Sequence, residues 1–103
     1  MIAVTVLYPQ TATSHFDIDY YHANHMKMVH ELWDSMGLRG TRVLHGKPGP
    51  DNAPPAFAVM TILDFESLDD FGKAVSAHGG PIMGDIPNFT NVQPSLQIND
   101  IAA

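Results

Sequence analysis

The sequence predicts an α+β fold, a four-stranded antiparallel sheet with two helices packed on one face. Three observations lead there. At 103 residues the chain is long enough for one domain and no more. Its apolar and turn-forming residues divide it into strand, helix, strand, and then the same order again. A loop dense in proline, glycine and asparagine, Pro48 to Pro55, separates the two halves. The order βαββαβ is that of the ferredoxin-like plait, and residues 1–103 are expected to form one such domain. The halves share this architecture but no sequence repeat.

The first strand is Met1–Tyr8, β-rich and ended by Pro9. Pro9–His15 is polar and turn-like. A helix follows from Asp17 to about Met36, with Asp17 or Asp19 placed to complement the free N–H groups at its start. Gly37 supplies the stop, because glycine takes the left-handed conformation that ends helices. Ile18, His22, His25, Val29, Leu32 and Met36 recur at spacings of four, three, four, three and four, one stripe of a regular helix. Arg39–Lys47 reads as the second strand and Ala56–Phe65 as the third. Ser67, followed by Asp69 and Asp70, caps a second helix running to about Ala77. Gly79-Gly80-Pro81 is expected to break it, with one further turn over Pro81–Gly84. Asp85–Asn91 is a loop. In the last strand, Val92–Asn99, the residues Val92, Pro94, Leu96 and Ile98 alternate with Gln93, Ser95, Gln97 and Asn99. Pro94 has no N–H for a ladder, so this strand belongs at an edge.

Composition excludes several functions. With 45% hydrophobic and 16% charged residues the chain is too apolar to be disordered. Eleven acidic against five basic residues, a net charge of −6, oppose binding to nucleic acid or to an anionic membrane surface. Without cysteine there is no disulfide, thiolate nucleophile or iron–sulfur cluster. The apolar start carries no basic region of a targeting signal, and the run Ala56–Leu63 falls far short of the ~20 residues a membrane span needs. A cytoplasmic protein is expected.

A plait leaves one sheet face to water, and a half-exposed strand should alternate. The first and third strands do not. Ile2, Val4, Val6 and Tyr8 oppose Met1, Ala3 and Leu7; Phe57, Val59, Leu63 and Phe65 oppose Ala56, Ala58, Met60 and Ile62. The simplest cover for the open face is the same face of a second copy, related by two-fold symmetry.

His25 is the first candidate for chemistry. It shares a stripe with Val29 and Leu32, as a packed core histidine would, or as an acid/base group in an apolar pocket would. Asp85 is either a turn carboxylate or the partner that orients this histidine. His22 and His25, at i and i+3, invite a metal reading with His78 or Asp85 as third ligand. No zinc or iron motif accompanies them, so no metal is expected. Tyr8, Tyr20, Tyr21, Trp33 and Phe16 gather around the first helix, as amphipathic packing or as a pocket wall. No phosphate-binding glycine loop and no nucleophile elbow is present.

Four segments together resemble a known family: Val4-Thr5-Val6-Leu7-Tyr8-Pro9; Phe16-Asp17 with Tyr20-Tyr21 and His25-Met26; Ile82-Met83-Gly84-Asp85-Ile86-Pro87-Asn88-Phe89-Thr90; and Gln93-Pro94. They are similar to the EthD family, named for ethyl tert-butyl ether degradation, within the dimeric α/β-barrel superfamily. Two positions depart from it: Lys27 stands where the family usually has proline, and Phe89 where tyrosine is common. The resemblance implies a homodimer whose sheets form a barrel, with a cavity between helices and sheet in each protomer. The family's founding member accompanies an ether-degrading cytochrome system. Superfamily relatives include cofactor-free monooxygenases on polyaromatic substrates, muconolactone-type isomerases and haem-degrading enzymes.

Two functions follow as expectations. One is a cofactor-independent enzyme on an apolar cyclic or aromatic compound, with His25 as acid/base, Asp85 orienting it, and Tyr8, Tyr21, His22, Trp33 and Phe89 contacting substrate. The other is a non-catalytic carrier of a hydrophobic metabolite beside an oxygenase. Haem needs a roomy pocket wall with a proximal ligand, and a chain this short leaves little volume. Sedimentation equilibrium at micromolar concentration is expected to return a dimer, and a monomer would overturn the pairing of open sheet faces.

Overall fold

β1 (Ile2–Pro9) and β3 (Phe57–Phe65) form the centre of the sheet, with β2 (Leu38–His45) and β4 (Ser95–Asp100) at its edges in the order β2-β3-β1-β4. This computed structural model describes residues 1–102, and every neighbouring pair of strands is antiparallel. The predicted plait is the observed one. Val4 opposite Leu63 and Tyr8 opposite Val59 set the register of the central pair. That register puts Ile2, Val4 and Tyr8 on the same buried face as Val59, Thr61, Leu63 and Phe65. Ala3, Thr5 and Leu7 share the opposite face with Ala58, Met60 and Ile62, where they are only partly buried. Leu44 lies beside Met60 on that face and is exposed.

The first helical element, α1, covers residues 18–36 but is not one regular helix. Asp17 caps it by accepting the Tyr20 N–H at 3.0 Å. An α-helical start at Ile18–Tyr20 passes into a π-helical turn, Tyr21–His25. The α-helix resumes at Met26–Trp33 and tightens to a 3₁₀ turn, Asp34–Met36. In the π turn the Met26 N–H donates to the Tyr21 carbonyl five residues back, so one extra residue is wound in. The extra residue shifts the phase of everything before it. His25 is buried, as the regular stripe predicts, and Ile18 is partly buried against the core, but Tyr21 takes the inward place the stripe gave to His22, which is exposed. Gly37 ends the element at φ = 100°, as expected.

The second helix, α2 (Leu68–Gly84), begins at Ser67, whose hydroxyl accepts the Asp70 N–H at 3.1 Å. It does not break at Gly79-Gly80-Pro81 but runs through them. Proline inside a helix removes one hydrogen bond and costs ~3 kcal/mol. Burial of Phe71, Ala74, Gly79 and Ile82 along one stripe opposes that cost, and the stripe continues across the expected break.

A 3₁₀ turn, Ile86–Asn88, follows, and the next residues are pinned to the segment before α1. The Asp17 N–H donates to the Phe89 carbonyl at 2.7 Å, and the Thr90 hydroxyl donates to the His15 carbonyl at 2.6 Å. β4 takes the expected edge position but starts at Ser95, so Val92–Pro94 precede it rather than belong to it. Leu96 and Ile98 face the helix side, opposite Val6 and Val4, yet remain 52% and 44% exposed because the helices do not reach this edge. Among the described residues no helix is long and apolar enough to cross a membrane.

Beneath α1 and α2, the rings of Trp33, Phe65 and Phe71 meet edge-on with centroids 5.2–6.2 Å apart. Phe65 is fully buried there, so Phe65→Ala is expected to cost about 3–5 kcal/mol in urea unfolding. Leu68→Ala, at a position 55% exposed, is expected to cost less than about 0.5 kcal/mol in the same measurement.

Candidate functional site

Between the two helices and the sheet lies a cavity of about 370 Å³. Its wall is mostly apolar: Met26, Val29 and Trp33 from α1, Phe71 and Ile82 from α2, and Val6 and Leu63 from the sheet. Val75, Met83 and Leu96, all at least 43% exposed, surround its opening between α2 and β4. Four polar side chains line it: Tyr8, Tyr21, His25 and Thr61.

The π turn delivers two of these. It brings the Tyr21 ring parallel to the His25 imidazole, with centroids 5.2 Å apart and planes at 16°. Phe89 abuts the same imidazole at 4.7 Å and 60°. His25 is only 4% exposed, and its Nδ1 lies 3.0 Å from Oδ2 of Asp85. The other oxygen of Asp85 accepts the Tyr20 hydroxyl at 2.7 Å and the Asn88 amide at 3.0 Å.

These contacts set the protonation states. Burial pulls the His25 pKa below the usual histidine value, more strongly than the hydrogen bond to Asp85 raises it. Partial burial pushes Asp85 up, but hydrogen bonds from Tyr20, Asn88 and His25 more than offset this and hold it below the ordinary carboxylate range. A neutral imidazole beside an ionised carboxylate must place its proton on Nδ1, since the carboxylate only accepts. Nε2 then carries a lone pair. It makes no hydrogen bond among the described residues, and no fully buried side-chain polar atom there lacks a partner. Nε2 is therefore accessible, and the space His25 lines is the cavity.

The Tyr21 hydroxyl is hydrogen-bonded to that of Thr61. Burial, and then the neighbouring Tyr21, push the Tyr8 phenol well above its normal pKa, so it stays protonated. An accessible base in an apolar space, with phenol and alcohol hydroxyls nearby, can take a proton from a bound molecule and steady the oxygen that gains charge.

Of the residues singled out in the sequence, His25, Tyr8, Tyr21 and Trp33 line the cavity, and Asp85 stands directly behind His25. Trp33 contributes its ring only, because its indole N–H donates to the Ala74 carbonyl at 3.0 Å. Phe89 is fully buried and packs behind Tyr21 and His25 rather than on the cavity. His22 points away to solvent, where its Nε2 meets that of His45 at 3.2 Å. His22 and His25 thus diverge and do not form a metal pair. Lys27 is also exposed, 3.9 Å from Glu31, and adds no charge to the cavity. Tyr20, expected in packing or in the pocket wall, is not among the lining residues and instead donates to Asp85. Asn88 and Thr61 were not foreseen as site residues. Thr61 had one legible sign: it is the polar residue on the otherwise apolar inner face of β3.

A crystal structure of an EthD-like protein from Ralstonia eutropha JMP134 matches with a TM-score of 0.92 and 37% identity, over 99% of this chain and 92% of that one. The chain belongs to the EthD family. A crystal structure of an ethyl tert-butyl ether degradation (EthD) family protein from Bacillus halodurans C-125 shares the fold, with a TM-score of 0.67 and 18% identity over 99% of both chains. No family model and no curated protein matches the sequence. The EthD resemblance read from the four sequence segments is thus the relationship that the first of these structures shows.

The depressed His25 pKa ties stability to pH. The unfolded chain, with histidine at 6.5, binds the proton more readily than the folded one. The contribution is present above pH 6.5 and is lost as pH falls from there through the folded value. His25→Gln removes this titration. Urea unfolding from pH 7.5 to 5 is expected to show wild-type stability falling relative to the variant; a constant difference would contradict it.

Proposed function

We propose that the cavity takes an apolar cyclic or aromatic small molecule and that His25 acts on it as general base and acid without a cofactor. One observation carries this reading: a neutral imidazole, held at Nδ1 by Asp85, has its other nitrogen open to an apolar cavity. At about 370 Å³ the cavity is at the small end of the usual range for small-molecule sites. Proton abstraction beside a carbonyl suits this arrangement. His25 Nε2 takes the proton, Asp85 stabilises the imidazolium that forms, and the Tyr21 hydroxyl, with Tyr8 and Thr61 beside it, donates to the developing enolate oxygen. Such an enolate leads to isomerisation, to dehydration or to reaction with oxygen.

The second reading is a carrier that holds or delivers a hydrophobic metabolite beside an oxygenase. The apolar opening formed by Val75, Met83 and Leu96 favours it, since passage of a hydrophobic molecule needs no catalytic group. Under either reading the protein acts in the cytoplasm as a homodimer joined through the sheet face of Leu7, Met60 and Ile62. The apolar set left partly exposed on that face supports the pairing.

His25→Ala separates the two readings in a screen of neutral cyclic ketones and phenols. An enzyme loses turnover by at least ~100-fold while binding stays within ~10-fold, as expected for a general base. Tight binding with no turnover in either protein would establish the carrier.

A further inference from the structure

We propose that Tyr20, with Asn88 as second donor, is a positioning residue that clamps the Asp85 carboxylate and thereby selects the tautomer of His25. The inference rests on reading His25 as the acid/base group and names what keeps it competent.

Asp85 stands where α2 gives way to the 3₁₀ turn, and its side chain is 12% exposed. A carboxylate on such a junction turns easily about its last bond, because that torsion is broad. Both external donors act on one oxygen: the Tyr20 hydroxyl at 2.7 Å and the Asn88 amide at 3.0 Å reach Oδ1. That leaves Oδ2 for Nδ1 of His25 at 3.0 Å. The division of labour is geometric. One oxygen is held from the solvent side, and the plane of the carboxylate then points the other at the imidazole.

Tyr20 comes from the element that carries His25, whereas Asn88 comes from the turn that carries Asp85. The phenol is thus the contact that ties the carboxylate to α1 from outside the dyad. It occupies the last residue before the π turn, so two adjacent tyrosines serve the same imidazole by different routes: Tyr21 stacks on the ring, and Tyr20 holds the group behind it. The bond to Asp85 also raises the Tyr20 pKa, which keeps the phenol a donor through the physiological range. Tyr20 is not among the residues that line the cavity and makes no hydrogen bond to His25; it acts through Asp85.

The tautomer of His25 is the readout, because only the Asp85 contact selects it among the described residues. Nitrogen chemical shifts of the imidazole, measured on ligand-free protein at pH 7.5 and assigned with His25→Gln, distinguish Nδ1–H from Nε2–H. Wild type is expected to hold Nδ1–H. Tyr20→Phe is expected to move the ratio at least about tenfold toward Nε2–H, the size of effect a hydrogen bond to a charged group carries. Asn88→Ala removes an exposed donor without disturbing the core and is expected to move it the same way by less. Near-UV circular dichroism checks that each variant is folded. An unchanged ratio in a folded Tyr20→Phe overturns the proposal. Should Tyr20→Phe fail to fold, an unchanged ratio in Asn88→Ala overturns the clamp. Because no ligand is present, a clamp found in a protein that turns nothing over would count against the enzymatic reading alone.

Discussion

A buried imidazole bonded to a carboxylate cannot be made by one element of this fold. His25 belongs to α1 and Asp85 to the far end of α2, so their contact requires both helices to arrive at one point above the sheet. Much of the structure follows from that requirement. α2 must continue through Gly79-Gly80-Pro81 to carry the chain as far as Asp85. The residues after it must be anchored, and the bonds of Asp17 to Phe89 and of Thr90 to His15 anchor them. On the other side the π turn must rotate His25 and Tyr21 inward together.

The electrostatics of this pair are compatible with the acid/base role proposed for it. Desolvation keeps the imidazole neutral, and the carboxylate stays charged because it has donors on both oxygens. A pair that existed only to hold the helices together would gain from filling the space in front of Nε2 with side chains, since unfilled apolar volume costs stability. Here that space is left open, and the ring edge that faces it carries the one unpartnered nitrogen of the site.

How much of this was legible in the sequence depended on how local the determinant was. Strands were readable because alternation and prolines are written residue by residue. The edge position of β4 followed from Pro94 even though the strand starts one residue later. The caps at Asp17, Ser67 and Gly37 were readable for the same reason. The phase of α1 was not. A π turn has no composition of its own, and the regular stripe gave His22 a place that Tyr21 takes. Gly79-Gly80-Pro81 has the local chemistry of a break, and only burial of Gly79 and Ile82 against the rest of the fold overrides it. His25 and Asp85 were found as single residues with a stated partnership. Tyr20 was read only as packing or pocket wall, and Asn88 was not singled out, because their contact with His25 runs through Asp85, and sequence spacing does not reveal such a three-body arrangement.

β4 has one further consequence. Its inner face extends beyond the helices, so Leu96 is both an edge-strand residue and, with Val75 and Met83 of α2, an exposed part of the cavity's lining. None of these rim residues touches His25, Asp85 or Tyr20 through a hydrogen bond. The proposed acid/base pair and the exposed part of the cavity's lining are therefore built from different residues. Substitutions at Leu96, Val75 or Met83 can reshape the outer part of the cavity while the His25–Asp85 pair stays as it is.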